Sequence, residues 1–228
     1  MSKSIAVFGA GPGLGRAIAH RYAREGYAVA LVARRPELID QVAKDVSGHA
    51  FAADLADIAA LPELAARVRA AVGDPEVLYY GAAAGGFGPV LDLTPERVQE
   101  FMALAVHAPL TLVREFLPAM LERGTGAILS AQGASAVHGN PHIAGGVALA
   151  AQRNYLQALH AAVADRGVYV GGLYIGAAIE HTPFHAQLEA ARAAGEYVPD
   201  LPSVDPADLA ELLWTMHHTT REPDRTYP

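Results

Sequence analysis

Two groups of residues in this chain have the types and spacing to do chemistry. The first is "FGAGPGLGRAIA", where Gly9, Gly11, Gly13 and Gly15 recur between a short apolar run and a helical pattern. Without Cβ atoms the backbone can approach a pyrophosphate closely, and the helix that starts there offers unpaired N–H groups and the positive end of its dipole. About 20 residues further on, dinucleotide-binding folds often place an acidic residue against a ribose 2′-hydroxyl. Here Arg34 and Arg35 stand at that point, two guanidinium groups suited to a 2′-phosphate through charge-assisted bonds, which favours NADP(H) over NAD(H).

The second group comprises Tyr79, Tyr80, Ser130, Gln132, Ser135, His138, His142 and Tyr174, all near the expected ends of strands. Gln132 can donate a hydrogen bond to a carbonyl but cannot supply a proton at neutral pH, and Ser130 two residues before it is a further hydrogen-bonding group. His138 and His142 flank "GNP", and because histidine is the residue type suited to proton transfer near neutral pH, either is a candidate substitute acid; the plainer reading is a pair of exposed loop histidines. His138/His142 and His181/His185 have a four-residue spacing suggestive of metal ligands, but Pro141 and Pro183 interrupt the helices that would align them, so no metal is expected. A Gly-x-Ser-x-Gly elbow for serine hydrolysis is missing.

The elements that must position these groups alternate along the chain. Apolar strand patterns at 4–9, 27–33, 49–54, 76–84, 126–132 and 167–176 are separated by helical patterns at 14–26, 36–48, through "ADIAALPELAARVRAAVG", at 95–123 and at 143–166. Continuous β-branched strands with helices between them imply a doubly wound, seven-stranded parallel sheet covered on both faces, a Rossmann fold in one domain over 1–228. Ligands then lie at the carboxyl ends of the strands. Thr94-Pro95 and Asp205-Pro206 are helix starts, and Pro109 and Pro118 are expected to divide 95–123 into two pieces. Segment 177–204 is polar and proline-rich; Phe184, Leu188 and Tyr197 within it are read as a lid, with Tyr174 and Phe87 as apolar walls around a small, fairly hydrophobic ligand.

Composition narrows the classes. A net charge of −7 with no basic run argues against nucleic acid as a partner. The absence of cysteine removes thiol catalysis and thiolate metal sites and fits a reducing compartment, with the cytoplasm as the default. With 52% hydrophobic residues but no uncharged stretch of about 18–20 apolar residues, the chain reads as soluble and globular, with no membrane span.

Taken in order, these motifs resemble the short-chain dehydrogenase/reductase family over nearly the whole chain. Gly9, Gly13 and Gly15 match its Gly-x-x-x-Gly-x-Gly cofactor loop, with Phe8 where the family usually has threonine. Asp54 in "AADLAD" matches the aspartate that contacts adenine, "FLPAMLERGTGAIL" resembles the linker into the fifth strand, and "DPADLAELLW" resembles the final helix. The resemblance implies a cofactor set of Gly9, Gly11, Pro12, Gly13, Leu14 and Gly15, with Arg34, Arg35, Asp54, Leu55, Gly81, Ala82, Ala83 and Gly176. It also implies a homodimer or homotetramer formed through 95–123 and 143–166.

In that family a tyrosine and a lysine four residues later protonate the carbonyl, a serine polarises it and an asparagine relays protons. The need is physical: hydride delivery builds oxyanion charge, and an ammonium beside a phenol lowers the pKa of the donor. By the resemblance the four positions fall on Gly145, Leu149, Gln132 and Ala105, and the family's Asn-Asn-Ala-Gly becomes Tyr80-Gly81-Ala82-Ala83. The only lysines are Lys3 and Lys44, so no shift of register restores the pair. Three functions remain open. The first is an NADP(H)-dependent oxidoreductase with a non-standard site, acting on a small carbonyl or related substrate. The second is a catalytically degenerate NADP(H)-binding or regulatory protein. The third is a non-redox cyclase, isomerase or lyase using His142, His138 or a tyrosine.

Overall fold

The computed structural model of the chain describes residues 3–82, 86–196, 198 and 200–228. Strands β1 (Ser4–Phe8), β2 (Ala28–Ala33), β3 (His49–Ala52), β4 (Val77–Tyr80), β5 (Gly126–Gly133) and β6 (Val168–Ile175) alternate with helices α1 (Leu14–Arg24), α2 (Pro36–Val46), α3 (Leu61–Val72), α4 (Pro95–Met102), α5 (Ala108–Arg123) and α6 (Gly146–Val163). Then come β7 (Ala178–Ile179), α7 (Pro183–Ala193), β8 (Ser203–Val204), α8 (Pro206–Thr215) and β9 (Asp224–Tyr227).

Seven strands form one parallel sheet in the order β3-β2-β1-β4-β5-β6-β9. The chain leaves β3 at one edge and returns beside β1, so the strand order reverses between β1 and β4, where such sheets bind ligands. Strand residues alternate between two cores. Ile5, Val7 and Tyr79 face α1 and α8 through Ile18, Tyr22, Leu209 and Leu213. Ala6, Phe8 and Tyr80 face the opposite layer, with Leu64, Leu112, Phe116 and Leu156. Burial on both faces is what the unbroken apolar runs require.

Three sequence expectations need correction. Pro109 does not break the chain: it lies in the first turn of α5, directly after a π-helical turn, Ala103–His107, that joins α4 and α5 into one helical stretch. Pro118 does not divide the helix: it is exposed, and burial of Leu112, Val113, Phe116 and Met120 along α5 outweighs the lost hydrogen bond. The described residues of segment 177–204 carry regular structure despite its polarity: Thr182 caps the 11-residue α7 by accepting from the His185 N–H (3.2 Å), and β7 pairs with β8. Among the described residues one continuous stretch, Pro95–Arg123, is long and apolar enough by composition to cross a bilayer, with a mean hydropathy of 1.2. Four of its apolar side chains are the α5 residues just named, packed on the sheet.

The end of α8 carries a buried aromatic cluster with a pH consequence. His217 Nδ1 lies 3.0 Å from the Tyr22 hydroxyl, and burial lowers its pKa from 6.5 to about 3. Between those values the unfolded chain binds a proton that the folded chain does not, so stability falls as pH drops through that window. Between pH 7 and 4.5 the wild type is expected to lose on the order of 2–3 kcal/mol from this residue, and His217→Gln to lose correspondingly less. Urea midpoints at the two pH values measure it; equal losses in both proteins would rule out His217 as the source.

Candidate functional site

The glycine loop is built by close backbone approach. Gly9 has φ of +94°, and a Cβ there would lie 2.5 Å from the Ala82 amide nitrogen. A Cβ at Gly15 would lie 2.3 Å from the Gly9 carbonyl oxygen, because the first turn of α1 sits directly on the end of β1. Gly11 is different in kind: nothing lies within 4 Å of where its Cβ would be, so the crest of the loop faces open space. A Cβ at Gly13 would meet the Thr182 methyl at 2.6 Å, so the segment before α7 rests on the loop. Leu14 is buried at the start of α1, and Pro12 is partly exposed. The chain thus presents a backbone cradle at the N-terminus of α1, of the kind that receives a pyrophosphate.

The other expected cofactor residues lie around the same strand ends. Arg35 and Pro12 line an open cavity of about 450 Å³ that His181, Thr182 and His185 line as well. Arg34 and Arg35 are both exposed, and of the two Arg35 lines the cavity. Asp54 is exposed beyond β3, where its carboxylate accepts the Ala56 N–H at 3.0 Å, and Leu55 is buried beside it. Gly81 and Ala82 follow β4, with Ala82 against Gly9; Ala83 lies outside the described residues. Gly176 follows β6 and donates its N–H to the Tyr227 carbonyl.

The position assigned by resemblance to the tyrosine is closed by backbone. Residues 86–90 are tied to 141–145 by a ladder of four backbone hydrogen bonds around a single bridge, Gly88 to Ile143: Gly88 N–H to His142 O (2.9 Å), Ala144 N–H to Gly88 O (3.1 Å), Gly145 N–H to Gly86 O (2.9 Å) and Val90 N–H to Pro141 O (2.8 Å). A Cβ at Gly145 would stand 2.9 Å from the Gly86 Cα. Helix α6 therefore begins at Gly146, three residues later than the apolar pattern suggests. The neighbouring positions are apolar: Ala105 packs with Phe101 and Ala148 in a small buried cluster that Leu149 joins from its edge. Phe87 on the same segment stacks on Phe184 of α7, ring centres 4.5 Å apart, tying the ladder to the lid.

Gln132 sits at the end of β5, buried, in a polar knot that sequence reasoning did not foresee. Its Nε2 donates toward Ser130 Oγ at 3.4 Å, and Nε2 of Gln152 on α6 donates to the same oxygen at 3.2 Å. Among the described residues Gln132 Oε1 has no partner. Whichever way this amide is turned, one end meets none, and as placed the free end is an acceptor rather than the donor that a substrate carbonyl would need.

The remaining candidates are poorly set up for proton transfer. Burial raises the phenols of Tyr79, Tyr80 and Tyr174, the opposite of what a proton donor for carbonyl reduction requires. Tyr80 donates to the Leu104 carbonyl in the π-helical turn. Tyr174 is fully buried and donates to Asp224 at 3.1 Å, so it is no cleft wall. His138 and His142 are exposed. Neither lines the second cavity, about 390 Å³ between 90–93 and 135–150, although Ser135 does. In the lid, Leu188 is buried and Phe184 partly so, while Tyr197 lies outside the described residues. The contributions missed from sequence are Gly86, Gln152 and Thr182, while His181 and His185 were weighed only for a metal-like spacing. Two had signals: Thr182-Pro183 repeats the Thr94-Pro95 helix start, and "GGFGP" is a turn composition.

Comparison with known proteins fits this geometry. A fatty acyl-CoA reductase of Mycobacterium tuberculosis is 34% identical over 136 residues, 56% of this chain and 46% of that protein. The chain spans about half the length of the curated relatives it matches. Among solved structures, the L-sorbose reductase of Gluconobacter frateurii, complexed with NADPH and L-sorbose, superposes with a TM-score of 0.83 at 23% identity, covering 100% of this chain and 95% of that one. An NADPH-bound short-chain oxidoreductase of Pseudomonas aeruginosa PAO1, described as containing an atypical catalytic center, gives 0.82 at 22% identity over 99% and 95%. These two likenesses speak to the fold. A family model described as short chain dehydrogenase matches residues 3–193, and the chain belongs to the short-chain dehydrogenase/reductase family.

Proposed function

We propose that this chain holds NADP(H) in the manner of its family and does not protonate a substrate through the family's tyrosine and lysine. One juxtaposition carries the reading. At one end of the strand edge the glycine cradle is intact, with Gly9 and Gly15 in backbone contacts that exclude any side chain; at the other, the proton-donor position at Gly145 lies 2.9 Å from the Gly86 backbone. The residues present fit the cofactor: the open crest at Gly11 and the first turn of α1 would hold the pyrophosphate, and Arg35 a 2′-phosphate. Bound NADP(H) would supply or accept a hydride. Beside it the chain offers an unpartnered amide end of Gln132 and an apolar wall of Leu149, Ala105 and Ala148, which suits holding a ligand better than moving its protons.

This favours the cofactor-binding, catalytically degenerate reading over a non-standard reductase. The expected result is saturable NADPH binding by fluorescence titration, with no oxidation of NADPH across a panel of aldehydes, ketones and enones. His138→Ala and His142→Ala should leave binding unchanged. Steady turnover abolished by either substitution would establish the non-standard oxidoreductase instead. Turnover of a substrate without any change in the cofactor would point to non-redox chemistry. Absence of NADPH binding would sink the proposal outright.

A further inference from the structure

The cavity between the glycine loop and α7 has an unusual lining. In a chain of net charge −7, its ionisable residues are Arg35 from the start of α2 and His181 and His185 from the segment that begins α7, with no carboxylate among them. The N-terminus of the 11-residue α7, through Pro183 and His185, faces the same space and adds the positive end of a helix dipole. At about 450 Å³ the cavity is within the usual range of small-molecule sites.

Two details bear on these histidines: the backbone at His181 and the ring of His185. His181 has φ of +64°, in the left-handed region that a histidine adopts at a cost of about 1–3 kcal/mol, and such residues concentrate at ligand clamps. His185 Nε2 lies 3.1 Å from the Ser203 hydroxyl of β8, which orients the ring; an imidazole keeps at least one N–H donor in either charge state. Thr182, between them, is fixed by donating to the Ile179 carbonyl at 2.7 Å while capping α7.

We propose that this cavity takes a phosphomonoester dianion, the 2′-phosphate of the dinucleotide, and that His181 and His185 form its second wall opposite Arg35. The lid segment then reads the phosphate directly, and discrimination between NADP(H) and NAD(H) resides partly on α7 and not only at the end of β2. The inference rests on the cofactor reading above, and the test separates the two.

NADPH, NADH and adenosine 2′,5′-bisphosphate are titrated against the wild type, Arg35→Gln, His181→Gly and His185→Ala. Glycine suits the left-handed backbone at 181 and alanine suits a helix at 185, so both histidine variants are compatible with the fold. Arg35→Gln should lower the preference for NADPH over NADH about tenfold or more, and each histidine variant about threefold to tenfold, with NADH affinity little changed. A preference unmoved in both histidine variants overturns the proposal. If NADPH fails to bind while the bisphosphate binds and depends on Arg35 and the histidines, the cofactor reading falls and the phosphate site stands. If neither binds, both fall.

Discussion

Gly9→Ala and Gly15→Ala will each abolish measurable NADPH binding and lower stability by about 2–5 kcal/mol. At Gly9 two penalties combine: a left-handed backbone that L-residues avoid, and a methyl group 2.5 Å from the Ala82 nitrogen and 2.7 Å from the Gly81 carbonyl carbon. At Gly15 the methyl meets the Gly9 carbonyl at 2.3 Å, so α1 must move off the end of β1 and carry the first-turn N–H groups with it. Neither obstacle is the free end of a flexible side chain that could swing away. Gly11→Ala is the control. Its Cβ would enter open space, so stability should change by less than about 0.5 kcal/mol, and any loss of NADPH affinity then measures contact with the cofactor itself. Urea denaturation and NADPH fluorescence on the three variants separate fold from site. A Gly9→Ala protein of wild-type stability and affinity would show that the loop is neither close-packed nor a cradle.

These glycines also mark what was legible in the sequence. Spacing at Gly9, Gly13 and Gly15 between an apolar run and a helical pattern specifies a strand, a turn and a helix, because each constraint is local. The doubly wound parallel sheet followed for the same reason, since continuous apolar strands separated by helices allow few arrangements; its strand order did not. The candidate site is another matter. Gly145 invited the question of which side chain was missing, whereas the answer lies in residues nearly 60 positions earlier that pair with it through backbone atoms alone. Main-chain pairing of "GFGPV" to "PHIAG" leaves no periodicity to read. The Ser130–Gln132–Gln152 knot likewise joins a strand to a helix, and Gln152 in an alanine-rich run gives no hint of its partner. His181 and His185 could be noted for their spacing, but only the packing of α7 against the glycine loop shows that they share a cavity with Arg35.

The other large effect concerns restoring the family's pair. Gly145→Tyr with Leu149→Lys will not yield a carbonyl reductase and will lower stability by about 3–5 kcal/mol. A tyrosine at 145 must displace the Gly86 backbone, 2.9 Å from its Cβ, and with it a ladder of four hydrogen bonds whose net worth is about 0.5–1.5 kcal/mol each. Losing the ladder would also unseat Phe87 from Phe184 and loosen the lid. A lysine at 149 replaces packing against Phe101, Ala105 and Ala148, in a cluster with no carboxylate to receive its charge. To act on a tyrosine its ammonium would have to stay in that apolar wall rather than extend to water, and desolvation disfavours this. Denaturant midpoints for the single and double variants, with Gly139→Ala as a neutral control at an open position, measure the cost. NADPH oxidation with the same carbonyl panel measures the gain. Should the double variant keep wild-type stability and reduce carbonyls, the 86–90 segment yields readily, and the site lacked only its side chains. A destabilised, silent variant means instead that the backbone itself has been rebuilt around a cleft without a proton donor, so that recovering catalysis would require a different path for the chain after β4.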